Sequence, residues 1–90
     1  MVREYRVRFL PEAAGELASL DKLVAERILK KLKWLAENFA DLTPEPLSGE
    51  LKALFKLRVG DYRILYSFDR KTRVIYIHLI GHRRDIYKGS

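Results

Sequence analysis

The sequence predicts a small α+β domain, an antiparallel sheet with two N-terminal helices packed on one face, and three observations predict it. Ninety residues are one small domain's worth of chain, enough to bury roughly 60–65% of the surface the unfolded chain exposes. Apolar residues recur at three- and four-residue steps between residues 20 and 39 and alternate with polar ones near the start and beyond residue 54. Clusters of Gly, Pro and Asp punctuate the alternating runs. The order of elements is therefore β-α-α-β-β-β, with residues 1–88 as a single domain and no repeat or low-complexity segment.

The first strand is placed at residues 2–9, because Tyr5-Arg6-Val7-Arg8-Phe9 alternates apolar with basic. Pro11 suits the first turn of a helix, and the good helix formers after it, interrupted only by Gly15, predict a short helix over about residues 11–19. Asp21 is a plausible N-cap for a second helix over residues 22–38. Its apolar stripe is Leu20, Val24, Ile28, Leu32, Leu35 and Phe39, with Lys22, Glu26, Lys30, Lys33 and Glu37 on the other side. Residues 40–50 carry two prolines and a glycine and read as a connecting loop.

Beyond the loop, residues 54–59 alternate, Gly60-Asp61 makes a two-residue hairpin turn, and residues 62–68 return. Asp69-Arg70-Lys71-Thr72 is the next turn. The third strand of the meander, residues 73–80, is apolar on both parities and so is expected at the centre of the sheet, ended by Gly81. The tail from His82 to Lys88 is basic with one apolar anchor, Ile86. Gly89-Ser90 reads as an appendage outside the domain, of the kind a cloning vector leaves.

Composition excludes several classes of chemistry. Cysteine is absent, which removes disulfides, thiolate nucleophiles and Cys-ligated metal sites. The N-terminus lacks the apolar run of a signal peptide, and no stretch approaches the roughly 18 consecutive apolar residues of a membrane span, so a cytoplasmic protein is expected. Glycine-rich phosphate loops, GxSxG and HExxH are missing, and the carboxylates of the basic half, Asp61, Asp69 and Asp85, have no spacing that suits a hard cation. No metal and no small-molecule cofactor are expected. Gln is missing and Asn occurs once beside many Lys, Arg and Glu, a composition associated with thermophiles.

Charge is the most informative feature. Residues 1–50 carry 8 Lys and Arg against 9 Asp and Glu, whereas residues 51–90 carry 10 against 3. The whole excess of the +6 net charge lies in the last 40 residues. Such an asymmetry points to a polyanionic partner, nucleic acid first; solubility alone is the competing explanation.

Hairpin pairing around Gly60-Asp61 sets Val59 opposite Tyr62, Arg58 opposite Arg63, Leu57 opposite Ile64 and Lys56 opposite Leu65. Side chains alternate faces, so Phe55, Leu57, Val59, Tyr62, Ile64, Tyr66 and Phe68 pack on the helices while Lys56, Arg58 and Arg63 project together from the other face. Like charges directly opposite one another weaken a hairpin, and an anion resolves the conflict. Arginine forks fit phosphate oxygens and the extra charge that develops when a phosphodiester is attacked. His82, Arg83 and Tyr87 lie just past the last strand, close enough to fold over the same face; His82 suits proton transfer and Tyr87 could stack on a base. His78, inside the strand, reads as a packed, satisfied core histidine.

Lys56-Leu57-Arg58-Val59-Gly60-Asp61-Tyr62-Arg63-Ile64-Leu65-Tyr66, followed by Gly81-His82-Arg83-Arg84-Asp85-Ile86-Tyr87, resembles the RelE family of type II toxins, part of the RelE/ParE superfamily, over essentially the whole chain. The resemblance implies a RelE-like fold and a ribosome-dependent, metal-independent messenger-RNA endoribonuclease that cuts in the A site with the substrate's own 2′-OH as nucleophile. It implies that Lys56 or else His82 takes the 2′-OH proton, Arg58 and Arg63 hold the scissile phosphate, Arg83 stabilises the transition state or the leaving oxygen, and Tyr87 orients the nucleotide. Lys52, Arg84 and Lys88 would add affinity for the RNA backbone. The implied partners are a RelB-type antitoxin, the ribosome and mRNA, with no membrane. The ParE toxins, which trap DNA gyrase without cutting, share the fold and much of the arginine pattern and are the alternative; a degenerate RNA-binding or antitoxin-sequestering member is a third.

Overall fold

Edge and centre of the sheet are set by where apolar side chains fall. In the computed structural model, which describes residues 4–46 and 54–82, β1 (Arg6–Phe9) leads into α1 (Pro11–Ala18) and α2 (Lys22–Asn38), then a 3-10 turn over Phe39–Asp41. β2 (Glu45–Pro46), β3 (Phe55–Val59), β4 (Tyr62–Asp69) and β5 (Val74–His82) follow. Residues 2–3, 47–50 and the Gly89-Ser90 tail lie outside the described residues.

The strands are ordered β1-β5-β4-β3-β2, so the strand apolar on both parities is interior, flanked by β1 and β4, although β4 and not β5 takes the expected central place. β3, β4 and β5 form the antiparallel meander, with the hairpin register set by Gly60 at φ +59 and Asp61 without positive φ, the type II′ arrangement. The expectation of a wholly antiparallel sheet is corrected at one edge, where β1 runs parallel to β5. The chain leaves β1 through the helix pair, and such a crossover lets a later strand return alongside in the same direction. β1 also starts later than expected, at Arg6, and Tyr5 instead donates its N–H to the Ala36 carbonyl at the end of α2, 3.0 Å away.

Two features were absent from the expected plan. Part of the loop after α2 pairs with β3 through Glu45 opposite Lys56, and proline is tolerated in so short an edge strand because its missing donor costs little there. The ladder between β4 and β5 shifts register at Leu65/Tyr66, leaving His78 as the extra residue. This bulge changes the parity of β5, so Ile75 and Ile77 before it and Ile80 after it all face the helices. The strand also runs through Gly81 to His82 rather than ending at Gly81.

α2 begins at the predicted cap, where Asp21 accepts a hydrogen bond from the Leu23 N–H at 3.2 Å. Its stripe buries Ile28, Leu32 and Leu35 against the sheet, while Leu20 and Val24 pack at the periphery of the core. Phe39, fully buried, lies 4.7 Å ring to ring from both Tyr5 and Phe68 and ties α2 to the sheet. α1 contributes Ala13 to the core and one long-range hydrogen bond, from the Ile80 N–H to Glu16 Oε1 at 2.8 Å. That carboxylate takes over where β1, paired only with residues 74–77, runs out.

Candidate nucleic-acid interface

Because the helices cover one side of the sheet, the side chains of opposite parity form a second, outward face. On it stand Lys56 and Arg58 from β3 and Arg63 from β4, with Arg58 directly opposite Arg63. Their like charges are partly accommodated by the backbone, since Arg63 Nη1 donates to the Gly60 and Tyr62 carbonyls at 3.2 and 3.1 Å. Arg58 is exposed.

Lys56 has a partner that sequence reasoning missed. Its Nζ lies 3.3 Å from Glu45 Oε2, and Glu45 is its cross-strand neighbour on β2. The pair borders a groove of about 300 Å³ whose walls include Lys31, Trp34, Thr43 and Arg58. Nothing in the Pro-Glu-Pro stretch alternates long enough to announce a strand, so the only signal available was an isolated carboxylate upstream of the basic hairpin. Tyr66, on the helix side of β4, is 2% exposed. Burial, and then the Glu45 carboxylate, pushes its hydroxyl up from 10.0 to about 12.

Further along the outward face, Ser67 Oγ and His78 Nε2 are 2.7 Å apart. His78 is thus satisfied as expected, but it is half-buried on the outward face and not in the core, a consequence of the bulge. Leu65, fully buried, and Val74 sit on this face outside the core cluster.

His82 departs from its predicted placement. It pairs with Tyr62 as the last residue of β5, and the two rings meet edge to face at 5.6 Å. Tyr62 packs against the core, so this register puts His82 on the helix side, away from Lys56, Arg58 and Arg63. Lys52, Arg83, Arg84, Tyr87 and Lys88 lie outside the described residues. Among the described residues, no group of three or more His, Asp or Glu could hold a metal, and no helix is long and apolar enough to cross a membrane.

Comparison with known proteins converges on one group. The family described as "ParE toxin of type II toxin-antitoxin system, parDE" matches residues 7–87. Toxin RelG of Mycobacterium tuberculosis is 37% identical, the match covering 93% of this chain and 97% of that protein. Among solved structures, the RelBE2 toxin–antitoxin complex from Mycobacterium tuberculosis superposes with a TM-score of 0.78 at 28% identity, covering 89% of this chain and 99% of that one. The archaeal RelE–RelB complex from Pyrococcus horikoshii gives 0.71 at 30% identity, covering 91% and 98%.

Proposed function

The chain belongs to the RelE/ParE superfamily of type II toxin–antitoxin toxins, and on that premise we propose that it is a ribosome-dependent, metal-independent endoribonuclease that cuts mRNA in the A site. The observation that carries this reading is the outward face: Lys56, Arg58 and Arg63 stand in register on paired strands, with the Glu45 carboxylate on Lys56. Arg58 and Arg63 bind the scissile phosphate and offset the charge that builds up on it. The 2′-oxygen attacks the adjacent phosphorus, the bond to the 5′-oxygen breaks, that oxygen takes a proton from solvent water, and the products are a 2′,3′-cyclic phosphate and a 5′-hydroxyl.

The proton of the 2′-OH goes to the Glu45–Lys56 pair. In an ion pair the lysine is the cation and the carboxylate the acceptor, while His82 is turned toward Tyr62. Arg83 stabilises the leaving oxygen, Tyr87 orients the nucleotide, and Lys52, Arg84 and Lys88 add contacts to the RNA backbone. The partner that silences the toxin is a RelB-type antitoxin, as the toxin–antitoxin complexes among the similar structures suggest. The exposed Leu23, Leu29 and Trp34 of α2 give a protein partner apolar surface to cover. The site of action, on cytoplasmic ribosomes, follows from the substrate.

A second reading is favoured by the family description itself, which names ParE toxins: the chain traps DNA gyrase and cuts nothing. Mapping 5′ ends on a defined mRNA with programmed ribosomes separates the two. The nuclease reading expects chelator-resistant cuts within the A-site codon, lost in Arg83→Ala and Tyr87→Ala. Absence of cuts together with stabilised gyrase–DNA complexes would replace it with the second.

A further inference from the structure

We infer that the RNA track does not end at the hairpin but crosses the whole outward face to the edge strand β1, where Arg6 and Arg8 form a second anchor for a single-stranded RNA backbone. The inference rests on the nuclease reading of that face and extends it to residues on the opposite edge of the sheet.

Arg6 and Arg8 pair with Val74 and Tyr76 of β5. Tyr76 in turn pairs with Ser67 of β4. Neighbouring pairs share a face, so both arginines stand on the side that carries Lys56, Arg58 and Arg63. Both are exposed, and they flank a cleft of about 270 Å³ with Val7 and Val74. Three strand spacings separate β3 from β1, roughly 14 Å at about 4.8 Å each, a span that one extended oligonucleotide bridges.

The ground between the two anchors suits RNA. Tyr76, half-buried, and the hydrogen-bonded Ser67–His78 pair lie between them beside the buried Leu65 and Val74, an aromatic ring and polar hydrogens of the kind that contact bases. Outward positions of the described strands hold five Lys and Arg, namely Arg6, Arg8, Lys56, Arg58 and Arg63, against two carboxylates. Both carboxylates are engaged: Glu45 on Lys56, and Asp69 by the N–H groups of Lys71 and Thr72 in its own turn. Cations on an edge strand also keep other chains from pairing with it, but that role requires no match to a distant basic patch on the same face.

The test is equilibrium binding of a 2′-O-methyl oligouridylate, which lacks the attacking hydroxyl, to the full chain over a range of salt concentrations. Arg6→Gln/Arg8→Gln is expected to lower the slope of log K against log salt by about 1.4, from two lost phosphate contacts at about 0.7 each. Arg6→Lys/Arg8→Lys should retain the slope, and Lys30→Gln/Lys33→Gln, an equal loss of charge from α2, should leave it unchanged. An unchanged slope in Arg6→Gln/Arg8→Gln, with a reduced one in Arg58→Gln/Arg63→Gln, overturns the extended track while leaving the nuclease site standing. Equal losses in the β1 and α2 variants overturn it as well, by reducing the effect to net charge. No salt-dependent binding by the unaltered chain overturns the track as well, while the nuclease reading stands or falls separately on the cuts made on programmed ribosomes.

Discussion

Tyr66 connects the core to the basic face, and its titration reports on both. The unfolded chain loses this proton near pH 10, whereas burial and the Glu45 charge hold it to about 12 in the fold. The raised value means that the neutral hydroxyl contributes stability fully below pH 10, and that this contribution disappears as pH rises through about 12. Two units correspond to on the order of 2–3 kcal/mol. Tyr66→Phe should therefore show a shallower fall in unfolding free energy than the unaltered chain from about pH 9 to about pH 12 in urea titrations; equal falls would refute it. On the outward side, Glu45→Gln keeps the side chain's size and removes the proposed proton acceptor. Cleavage on programmed ribosomes should slow by about 10²–10⁴-fold, while oligonucleotide affinity holds or rises because a negative charge is gone. A rate within a few-fold of the unaltered chain would assign the proton elsewhere. At this scale Lys56, Arg58 and Arg63 were legible because a two-residue turn fixes which residues oppose one another. Glu45 was not, since its place depends on a two-residue strand that no periodicity marks, and His82 was misplaced because a bulge reverses parity only a few residues before it.

Among the elements, α1 carries two testable contributions. The Glu16 carboxylate continues the sheet's hydrogen bonding past the end of β1 by accepting from the Ile80 N–H. Glu16→Ala should cost about 1.5–3 kcal/mol, the range for hydrogen bonds to charged groups, and should speed hydrogen exchange at the Ile80 amide; an unchanged exchange rate would show that the bond is not made in solution. Gly15 lies in the same helix with nothing within 4 Å of where a Cβ would stand. Gly15→Ala should accordingly raise stability by about 0.5–1 kcal/mol in thermal or urea unfolding. α2 was readable almost to the residue, because a capping Asp and a six-residue apolar stripe both point to the same boundaries. β5 was readable as an interior strand from its two apolar parities. For the same reason its bulge left no trace in the sequence: with isoleucine or leucine at positions 75, 77, 79 and 80, either register buries apolar side chains. The parallel pairing of β1 was likewise hidden, because alternation specifies a strand and its faces but not the direction of its neighbour.

Across the whole molecule, the helices cover one side of the sheet, cations stand on the other around the buried Leu65 and Val74, and the +6 net charge concentrates in the last 40 residues, which build the hairpin and β5. The architecture and the superfamily were legible together, since the hairpin motif on β3 and β4 and the Gly81-His82 end of β5 lie on adjoining strands. The width of the basic face was not, because Arg6 and Arg8 reach it only through the crossover that returns β5 to β1. In the proposed function this face cleaves RNA through the substrate's 2′-OH, with Arg58 and Arg63 on the phosphate. The most direct test determines the chemistry of the ends made on ribosome-bound mRNA by the unaltered chain and by Arg58→Ala/Arg63→Ala. The unaltered chain is expected to leave 2′,3′-cyclic phosphate and 5′-hydroxyl ends, abolished by a single 2′-deoxy substitution at the cut and reduced at least about 10²-fold in the variant. Ends bearing a 5′-phosphate, or full cleavage by the variant, would contradict it.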